Sequence, residues 1–204
     1  MSVEPQKPQT KRDKATAQRR GKILEAAVMC FLENGYHQTG VRDIAARAGV
    51  SLGNLYNHFP GKHDVLVEIA ALERAELAPY IALLAKPGPA RAIFEKFLAG
   101  YAAYLAKPEN AILTIEITSE AIRKPDIGEL FLVNHAELVA ALAAILARGV
   151  EEGAFRTDLD AQEAAQLVIE LIEASAYRSV LSKGPKRKIL ANLKNFVLAA
   201  LVGK

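Results

Sequence analysis

Residues 39–62 read TGVRDIAARAGVSLGNLYNHFPGK, and this stretch decides the fold of the chain. Apolar side chains recur at three- and four-residue spacing from Val41 to Ala48, which is typical of a short helix packed on a core. Gly49 can take the positive φ that ends such a helix, and Ser51 can cap a second helix that begins near Leu52. The side chains predicted to hold this second helix to the core are Leu55, Tyr56 and Phe59. We therefore predict a helix-turn-helix.

The opposite face of the second helix is mostly polar and is predicted to face solvent or a binding partner. Its residues are Leu52, Gly53, Asn54, Asn57 and His58. In a DNA-binding helix-turn-helix, side chains at such positions enter the major groove. Asparagine can read adenine there, leucine can contact a thymine methyl, and Arg42 on the first helix can read guanine. Two alternatives stay open, in which His58 supports the turn and Arg42 is a solvated charge.

A pattern of residue type and spacing extends beyond the motif, from Ile23 to Leu66. The residues that form it are Ile23, Ala26, Ala27, Phe31, Gly35, Val41, Asp43, Ile44, Ala45, Ala48, Gly49, Val50, Ser51, Gly53, Leu55, Tyr56, His58, Phe59, Lys62 and Leu66. Together they resemble the amino-terminal DNA-binding domain of the TetR family of transcriptional regulators. The resemblance implies that Tyr56, His58 and Lys62 contact the phosphate backbone.

One position departs from the family pattern. Gly40 stands where family members usually carry a hydroxyl residue, so we expect the helix cap and a phosphate contact to fall to Thr39 or to backbone amides. The predicted DNA-binding residues are Thr39, Arg42, Ser51, Leu52, Gly53, Asn54, Tyr56, Asn57, His58 and Lys62.

The net charge of +3 is unevenly distributed along the chain. Residues 1–64 carry +4, whereas residues 65–204 carry −1. A basic run lies just before the motif and consists of Lys7, Lys11, Arg12, Lys14, Arg19, Arg20 and Lys22. Such a run can attract a phosphate backbone through counterion release. The alternative is a solvated tail that only improves solubility.

Composition favours a cytoplasmic binding protein. The chain has 204 residues, of which 51% are hydrophobic, enough for a buried core. The most continuous apolar run, residues 138–146, is too short for a membrane span, and the N-terminus lacks a signal peptide's apolar segment. Cys30 falls on an apolar stripe and is interpreted as a small core residue. Since neither catalytic signatures nor metal-ligand spacings occur, we predict no enzyme activity, no metal and no cofactor.

Helical periodicity extends over almost the whole chain and predicts an all-α protein with about nine helices. We predict a disordered basic tail over residues 1–13 and a helix-turn-helix domain over residues 14–61. The resemblance implies that residues 62–204 form an effector-binding and dimerisation domain. In that domain, the last two predicted helices have broad apolar faces.

The resemblance further implies that these two helices pair with their twofold copies in a four-helix bundle. A twofold dimer would space two recognition helices about 34 Å apart, or one DNA turn. The predicted interface residues are Leu167, Leu171, Ile172, Leu193, Phe196 and Val197. Packing of both helices entirely within one chain is the alternative.

A small-molecule effector that releases the DNA is also implied by the resemblance, although its identity is not. We predict its pocket between the fifth, sixth and seventh helices. The candidate residues are Phe97, Tyr101, Tyr104, Thr114, Ile117, Thr118, Ala121, Asn134 and His135. Glu116 and Glu120 can clamp either Arg123, as an internal salt bridge, or a cationic ligand.

These observations predict a homodimeric, sequence-specific DNA-binding regulator without a membrane partner. By the resemblance it is a repressor, released from a palindromic operator by a small-molecule effector. The alternative is a helical dimeric adaptor or scaffold that keeps the fold without binding an operator.

Overall fold

The computed structural model describes residues 10–181 and 186–202, and within these ranges the chain forms nine α-helices and no strand. The helices are α1 Lys11–Asn34, α2 Val41–Ala48, α3 Leu52–Tyr56, α4 Lys62–Leu84, α5 Ala90–Leu105, α6 Pro108–Ala121, α7 Pro125–Glu151, α8 Ala161–Leu181 and α9 Lys186–Leu201. The predicted all-α class and the predicted number of helices are confirmed.

The chain divides into two compact units, one ending at Ile69 and the other beginning at Ala70. The division falls inside α4, eight residues after the boundary predicted at residue 61. Val65, Leu66 and Ile69 on the first turns of α4 are buried, so these turns supply core residues to the first unit.

Helix α1 begins three residues before the predicted start at Lys14. Thr10 caps it, since its Oγ1 accepts a hydrogen bond from the backbone N–H of Asp13 at 3.2 Å. The Asp13 carboxylate in turn accepts from the backbone N–H of Thr10 at 2.9 Å, which completes a capping box. The end of the predicted disordered tail is therefore helical, and residues 1–9 lie outside the described part of the chain.

The first unit is built around the motif at residues 39–62. Gly49 has φ 67° and ψ 32°, the left-handed conformation predicted for the residue that closes α2. Ser51 caps α3, because its Oγ accepts a hydrogen bond from the backbone N–H of Asn54 at 3.2 Å. The buried side chains of this unit include Ile23, Ala27, Phe31, Ile44, Leu55, Phe59 and Leu66. The predicted helix-turn-helix is confirmed.

The second unit has a core to which α5, α7, α8 and α9 all contribute. Its buried side chains include Phe94, Phe97, Leu98, Leu138, Leu142, Leu146, Ile169 and Ile172. Three hydrogen bonds hold the start of α5 and the loop before it. Glu152 accepts a hydrogen bond from the backbone N–H of Ala90 at 2.8 Å, and Arg148 donates to the carbonyls of Lys86 and Gly88 at 3.1 Å. The end of α7 therefore holds the start of α5.

By length and composition, α7 is the one helix in the described ranges that could cross a membrane. The apolar run noted at residues 138–146 lies within this helix. The core helix of a protein that does not enter a membrane has the same composition, and α7 supplies Leu138, Val139, Leu142 and Leu146 to the core of the second unit.

Candidate DNA-binding and effector sites

The short helix α3 is held to the first unit by Leu55 and Phe59, both of which are buried. These positions are four residues apart and therefore lie on the same side of the helical turn. Tyr56 was predicted to share their role, but 46% of its surface is exposed, because it points away from that side. Tyr56 is therefore available to a phosphate, as the resemblance implied.

The outward surface of the motif is polar and accessible. Arg42, Ser51, Gly53 and Asn57 are exposed, whereas Leu52, Asn54 and His58 are partly buried. Within the described residues the Oδ1 atom of Asn54 is buried without a hydrogen-bond partner, so this amide oxygen does not reach the surface. Of the two asparagines, Asn57 is therefore the better placed to read a base edge.

Thr39 does not lie where the prediction placed it. Only 2% of its surface is exposed, and its hydroxyl oxygen lies 2.8 Å from the carbonyl oxygen of Gly35 and 3.2 Å from that of Cys30. The hydroxyl thus closes the end of α1 and is turned away from solvent. At the start of α2 the backbone N–H of Gly40 donates to Asp43 at 2.8 Å, so the acidic side chain completes the cap.

Two basic residues assigned to phosphate have contacts inside the first unit. The Nζ of Lys62 lies 2.6 Å from the carbonyl oxygen of Tyr36 and 4.2 Å from the centroid of its ring. Arg20 donates to the carbonyl of His58 at 3.0 Å and to Glu68 at 2.7 Å. The other described members of the basic run, Lys11, Arg12, Lys14, Arg19 and Lys22, are exposed, and Lys7 lies outside the described residues.

The second unit contains a narrow cavity with an acidic and aromatic lining, which we call the carboxylate cavity. It is lined by Glu73 and Leu77 of α4, Tyr101 of α5, Phe131, His135 and Leu138 of α7, and Glu173 of α8. Its volume is about 10 Å³, the space of about one water. The cavity is thus nearly closed in this structure.

Partial burial raises the pKa of both carboxylates of the carboxylate cavity. Burial raises the pKa of Glu73, which a hydrogen bond from the Nδ2 of Asn134 at 3.2 Å partly offsets. Burial also raises the pKa of Glu173 to about 7, and the hydroxyl of Tyr101 donates to this carboxylate at 3.3 Å. Among the described residues, no Lys or Arg forms an ion pair with either of them. The site therefore has acceptors and negative charge without a paired cation.

The side chains around these carboxylates are aromatic. Burial and the nearby glutamates raise the pKa values of Tyr101, Tyr104 and Tyr177, and burial lowers the pKa of His135. The rings of Tyr101 and Tyr104 are stacked with centroids 6.3 Å apart. The tyrosines are thus neutral over the physiological range and present π-faces and hydroxyls.

Models of two protein families match this chain. The model of bacterial regulatory proteins of the tetR family matches residues 23–69, and that of the C-terminal domain of BetI-type transcriptional repressors matches residues 89–201. The chain belongs to the TetR family. The predicted resemblance is confirmed, and so is the predicted class of function, a DNA-binding transcriptional repressor that responds to a ligand.

Three similar proteins illustrate the range of this family. The HTH-type transcriptional repressor KstR2 of Mycolicibacterium smegmatis is 30% identical over 168 residues, which are 80% of this chain and 78% of the relative. A crystal structure of the regulator FadR from Bacillus subtilis in complex with stearoyl-CoA has a TM-score of 0.73 and 26% identity, covering 90% of this chain and 97% of that one. The structure of a regulator from Saccharomonospora viridis in complex with choline has a TM-score of 0.82 and 24% identity, covering 92% and 100%.

Of the nine effector residues predicted for this TetR-family chain, only Tyr101 and His135 line the carboxylate cavity. Asn134 lies behind it as the hydrogen-bond donor to Glu73. The remaining residues have other surroundings: Phe97 and Ile117 are buried, and Tyr104, Thr114, Thr118 and Ala121 are partly buried. The carboxylate cavity thus lies between α4, α5, α7 and α8, whereas the effector pocket was predicted between α5, α6 and α7.

Sequence reasoning missed Glu73 and Glu173, although one signal for Glu73 was present. Glu73 interrupts the buried stripe formed by Leu66, Ala70 and Leu77 at three- and four-residue spacing on α4. A charged residue on such a stripe indicates a buried polar site.

Arg123, which follows α6, was one of the two predicted partners of Glu116 and Glu120. Its guanidinium donates to the carbonyl and hydroxyl oxygens of Ser119 at 2.8 and 3.1 Å.

The six residues predicted for the dimer interface fall into two groups. Leu167, Leu171 and Phe196 are exposed by 59%, 38% and 64%, and we call them the α8–α9 face. Ile172, Leu193 and Val197 are instead buried in the core of their own unit, because they lie on the opposite sides of α8 and α9. Those three residues serve intramolecular packing, which corrects their assignment to a partner.

The substitution Glu173→Gln is expected to make the protein more stable at neutral and alkaline pH. The pKa of Glu173 is about 7 in the fold against an ordinary value of 4.5, so the folded state retains a proton that the unfolded chain has released. Its stabilising contribution is complete below about pH 4.5 and is lost as the pH rises through about 7. The difference over this interval is of the order of 3 kcal/mol.

Urea unfolding of the wild type and of Glu173→Gln at several pH values between about 5 and 8 checks this expectation. The variant should show a flatter pH dependence of the free energy of unfolding. Glu129→Gln, at an exposed position on α7, is the matched control and should follow the wild type. Identical pH profiles for all three proteins would show that Glu173 titrates normally.

Proposed function

We propose that this TetR-family chain binds a palindromic operator as a homodimer and is released from it by a small organic cation in the carboxylate cavity. The observation that carries the effector class is the pair of partly buried carboxylates, Glu73 and Glu173, among aromatic side chains. The chain acts by binding rather than by catalysis, and in the cytoplasm, where its operator lies.

The operator contacts follow from the exposure of the motif. Asn57 and Arg42 have accessible side chains that can form bidentate hydrogen bonds with adenine and guanine. Tyr56 can reach a phosphate with its hydroxyl. Gly53 supports close approach, since a Cβ added there would meet no atom within 4 Å and the fold itself does not require glycine.

The substitution Asn57→Ala is expected to weaken binding to the operator by about 1 to 3 kcal/mol, the contribution of a bidentate base contact. Binding to random DNA should change much less, because base contacts matter only for the matching sequence. Equilibrium titrations use an operator selected from a randomised duplex library by the wild-type protein. The control Asn34→Ala removes an exposed asparagine at the end of α1. If both variants bind the operator like the wild type, Asn57 does not read a base.

The case for a cation rests on the electrostatics of the cavity. Two like charges in a buried site repel each other, and each also loses hydration, so an isolated pair is costly. A bound cation would offset both effects, and the π-faces of Tyr101 and Phe131 would add attraction. An anionic ligand would instead increase the repulsion.

The ligands named for two similar proteins differ in charge. The carboxylates of Glu73 and Glu173 favour the cation over the anion. Choline is a quaternary ammonium ion, whereas stearoyl-CoA is an anion with a long acyl chain. The cavity has about the space of one water, so either ligand requires α4, α5, α7 and α8 to separate. The ligand would then bind the separated conformation more tightly than the closed one. Release from DNA requires such a difference in affinity between two conformations.

Choline and tetraethylammonium are expected to raise the melting temperature and to lower operator affinity, whereas stearoyl-CoA should do neither. Glu173→Gln should raise the concentration of cation needed for release about tenfold, consistent with loss of one charge-assisted contact. Tyr101→Ala should act in the same direction by removing a ring and a hydroxyl from the lining. Thermal-shift assays and fluorescence-based DNA release with the full-length protein measure these effects.

Glu129→Gln again serves as the control for a glutamate outside the cavity. Release by stearoyl-CoA, with Glu173→Gln and Tyr101→Ala behaving like the wild type, would assign the effector to another class and another place in the second unit.

The proposed homodimer uses the α8–α9 face. Leu171→Asp combined with Phe196→Asp is expected to convert the dimer into monomer, since two unpaired charges in an apolar interface cannot be compensated. The single-chain fold should persist, because both side chains are exposed in it. Sedimentation velocity measures the change, and Leu132→Asp, at an exposed position on α7, is the control. A double variant that sediments as the wild-type dimer would place the interface elsewhere.

A further inference from the structure

Arg20 contacts three different parts of the first unit with one guanidinium group. Its Nη2 lies 2.7 Å from Glu68 of α4, and its Nη1 donates to the carbonyl oxygen of His58 at 3.0 Å. The guanidinium carbon also lies 4.2 Å from the centroid of the Phe59 ring, a cation–π distance. Arg20 therefore connects α1, the turn after α3 and the beginning of α4.

The turn held by Arg20 follows directly after the DNA-reading face. Asn57 caps α3, and the backbone N–H groups of His58 and Phe59 both donate to the carbonyl of Leu55 at 2.9 Å. The guanidinium of Arg20 provides a hydrogen-bond donor to the backbone carbonyl of His58, in the turn just after α3. The same contact restrains the peptide group that follows His58.

A helix of five residues needs such external support. Isolated helices of this length are unstable in water, because nucleation costs more than the few hydrogen bonds return. Burial of Leu55 and Phe59 holds the inner side of α3. This burial alone leaves α3 free to rotate about its buried side. The contact of Arg20 with the backbone carbonyl of His58 restricts this rotation of α3.

We propose that Arg20 is a positioning residue for the recognition helix, and that it determines operator specificity through the turn at His58 without contacting DNA. The inference rests on the proposed operator contacts of α3. It also separates Arg20 from its neighbour Arg19, which is exposed and remains available to phosphate.

The test compares full-length Arg20→Ala, Arg20→Lys, Glu68→Gln and Arg19→Ala with the wild type. Affinities are measured for a duplex selected by the wild type and for a scrambled duplex, each at several salt concentrations. Arg20→Ala should weaken binding to the selected duplex about tenfold, the order of one lost base contact. Its affinity for the scrambled duplex and its salt slope should stay close to those of the wild type. Arg20→Lys should resemble Arg20→Ala, since an ammonium lacks the planar fork that joins Glu68 and His58.

Glu68→Gln separates two roles of Arg20, a phosphate contact and a positioning residue, most clearly. The two roles predict opposite changes in the affinity for the selected duplex. Removing a negative charge near DNA tightens binding to any duplex if only electrostatics matter. If the Arg20–Glu68 contact positions α3, the same variant binds the selected duplex more weakly. Arg19→Ala, by contrast, should weaken both duplexes alike and reduce the salt slope by about 0.9.

Equal losses on both duplexes for Arg20→Ala, with a shallower salt slope and tighter binding by Glu68→Gln, would overturn the proposal and make Arg20 a phosphate contact. If Arg20→Ala does not fold, as thermal denaturation would reveal, the sign of the Glu68→Gln effect decides alone. A wild type that cannot distinguish the selected from the scrambled duplex would refute the proposed operator contacts. Loss of specificity in Asn57→Ala but not in Arg20→Ala or Glu68→Gln would refute only the role of Arg20.

Discussion

The recognition helix has only five residues, and this constraint governs the structure of the DNA-binding unit. A single turn of helix is not stable alone, so its position has to come from the residues around it. Leu55 and Phe59 anchor it by burial, Gly49 and Ser51 place its start, and Arg20 holds the turn at its end. The polar side chains of α3 proposed to read DNA depend on these supports, because they are carried by this short helix and by the turn after it.

The second unit contains two partly buried carboxylates, Glu73 and Glu173, which form no ion pair with a Lys or Arg among the described residues. The core of this unit is formed by phenylalanine, leucine and isoleucine side chains, and the two glutamates line a cavity with Tyr101. Burial makes the charged form of both groups less favourable, as their raised pKa values show. A protein does not need this arrangement for stability. It is the kind of local cost that is found where a ligand binds.

The two units are linked through the chemistry of α4. This helix begins at Lys62, contributes Leu66 and Glu68 to the DNA-binding unit, and carries Glu73 into the carboxylate cavity. The proposed ligand at Glu73 would contact the same helix that carries Glu68, the partner of Arg20. The proposed release from DNA requires a ligand that binds one conformation of the protein more tightly than another.

Features that arise from neighbouring residues could be predicted from the order of residue types alone. The αL glycine at Gly49, the cap at Ser51 and the apolar spacing of nine helices are local, so the pattern of residue types was enough to predict them. The family followed from a pattern of the same kind, because the residues that carry the resemblance lie close together in the sequence, between Ile23 and Leu66. The tertiary structure decided everything that depends on partners distant in the chain. It buried the hydroxyl of Thr39 against α1, joined Arg20 to Glu68, and brought Glu73 and Glu173, which are 100 positions apart in the sequence, to one cavity. It also turned Ile172 inward and Leu171 outward. One residue along a helix rotates a side chain by about 100°, and only the packing of the other helices determines which of two apolar neighbours meets the core.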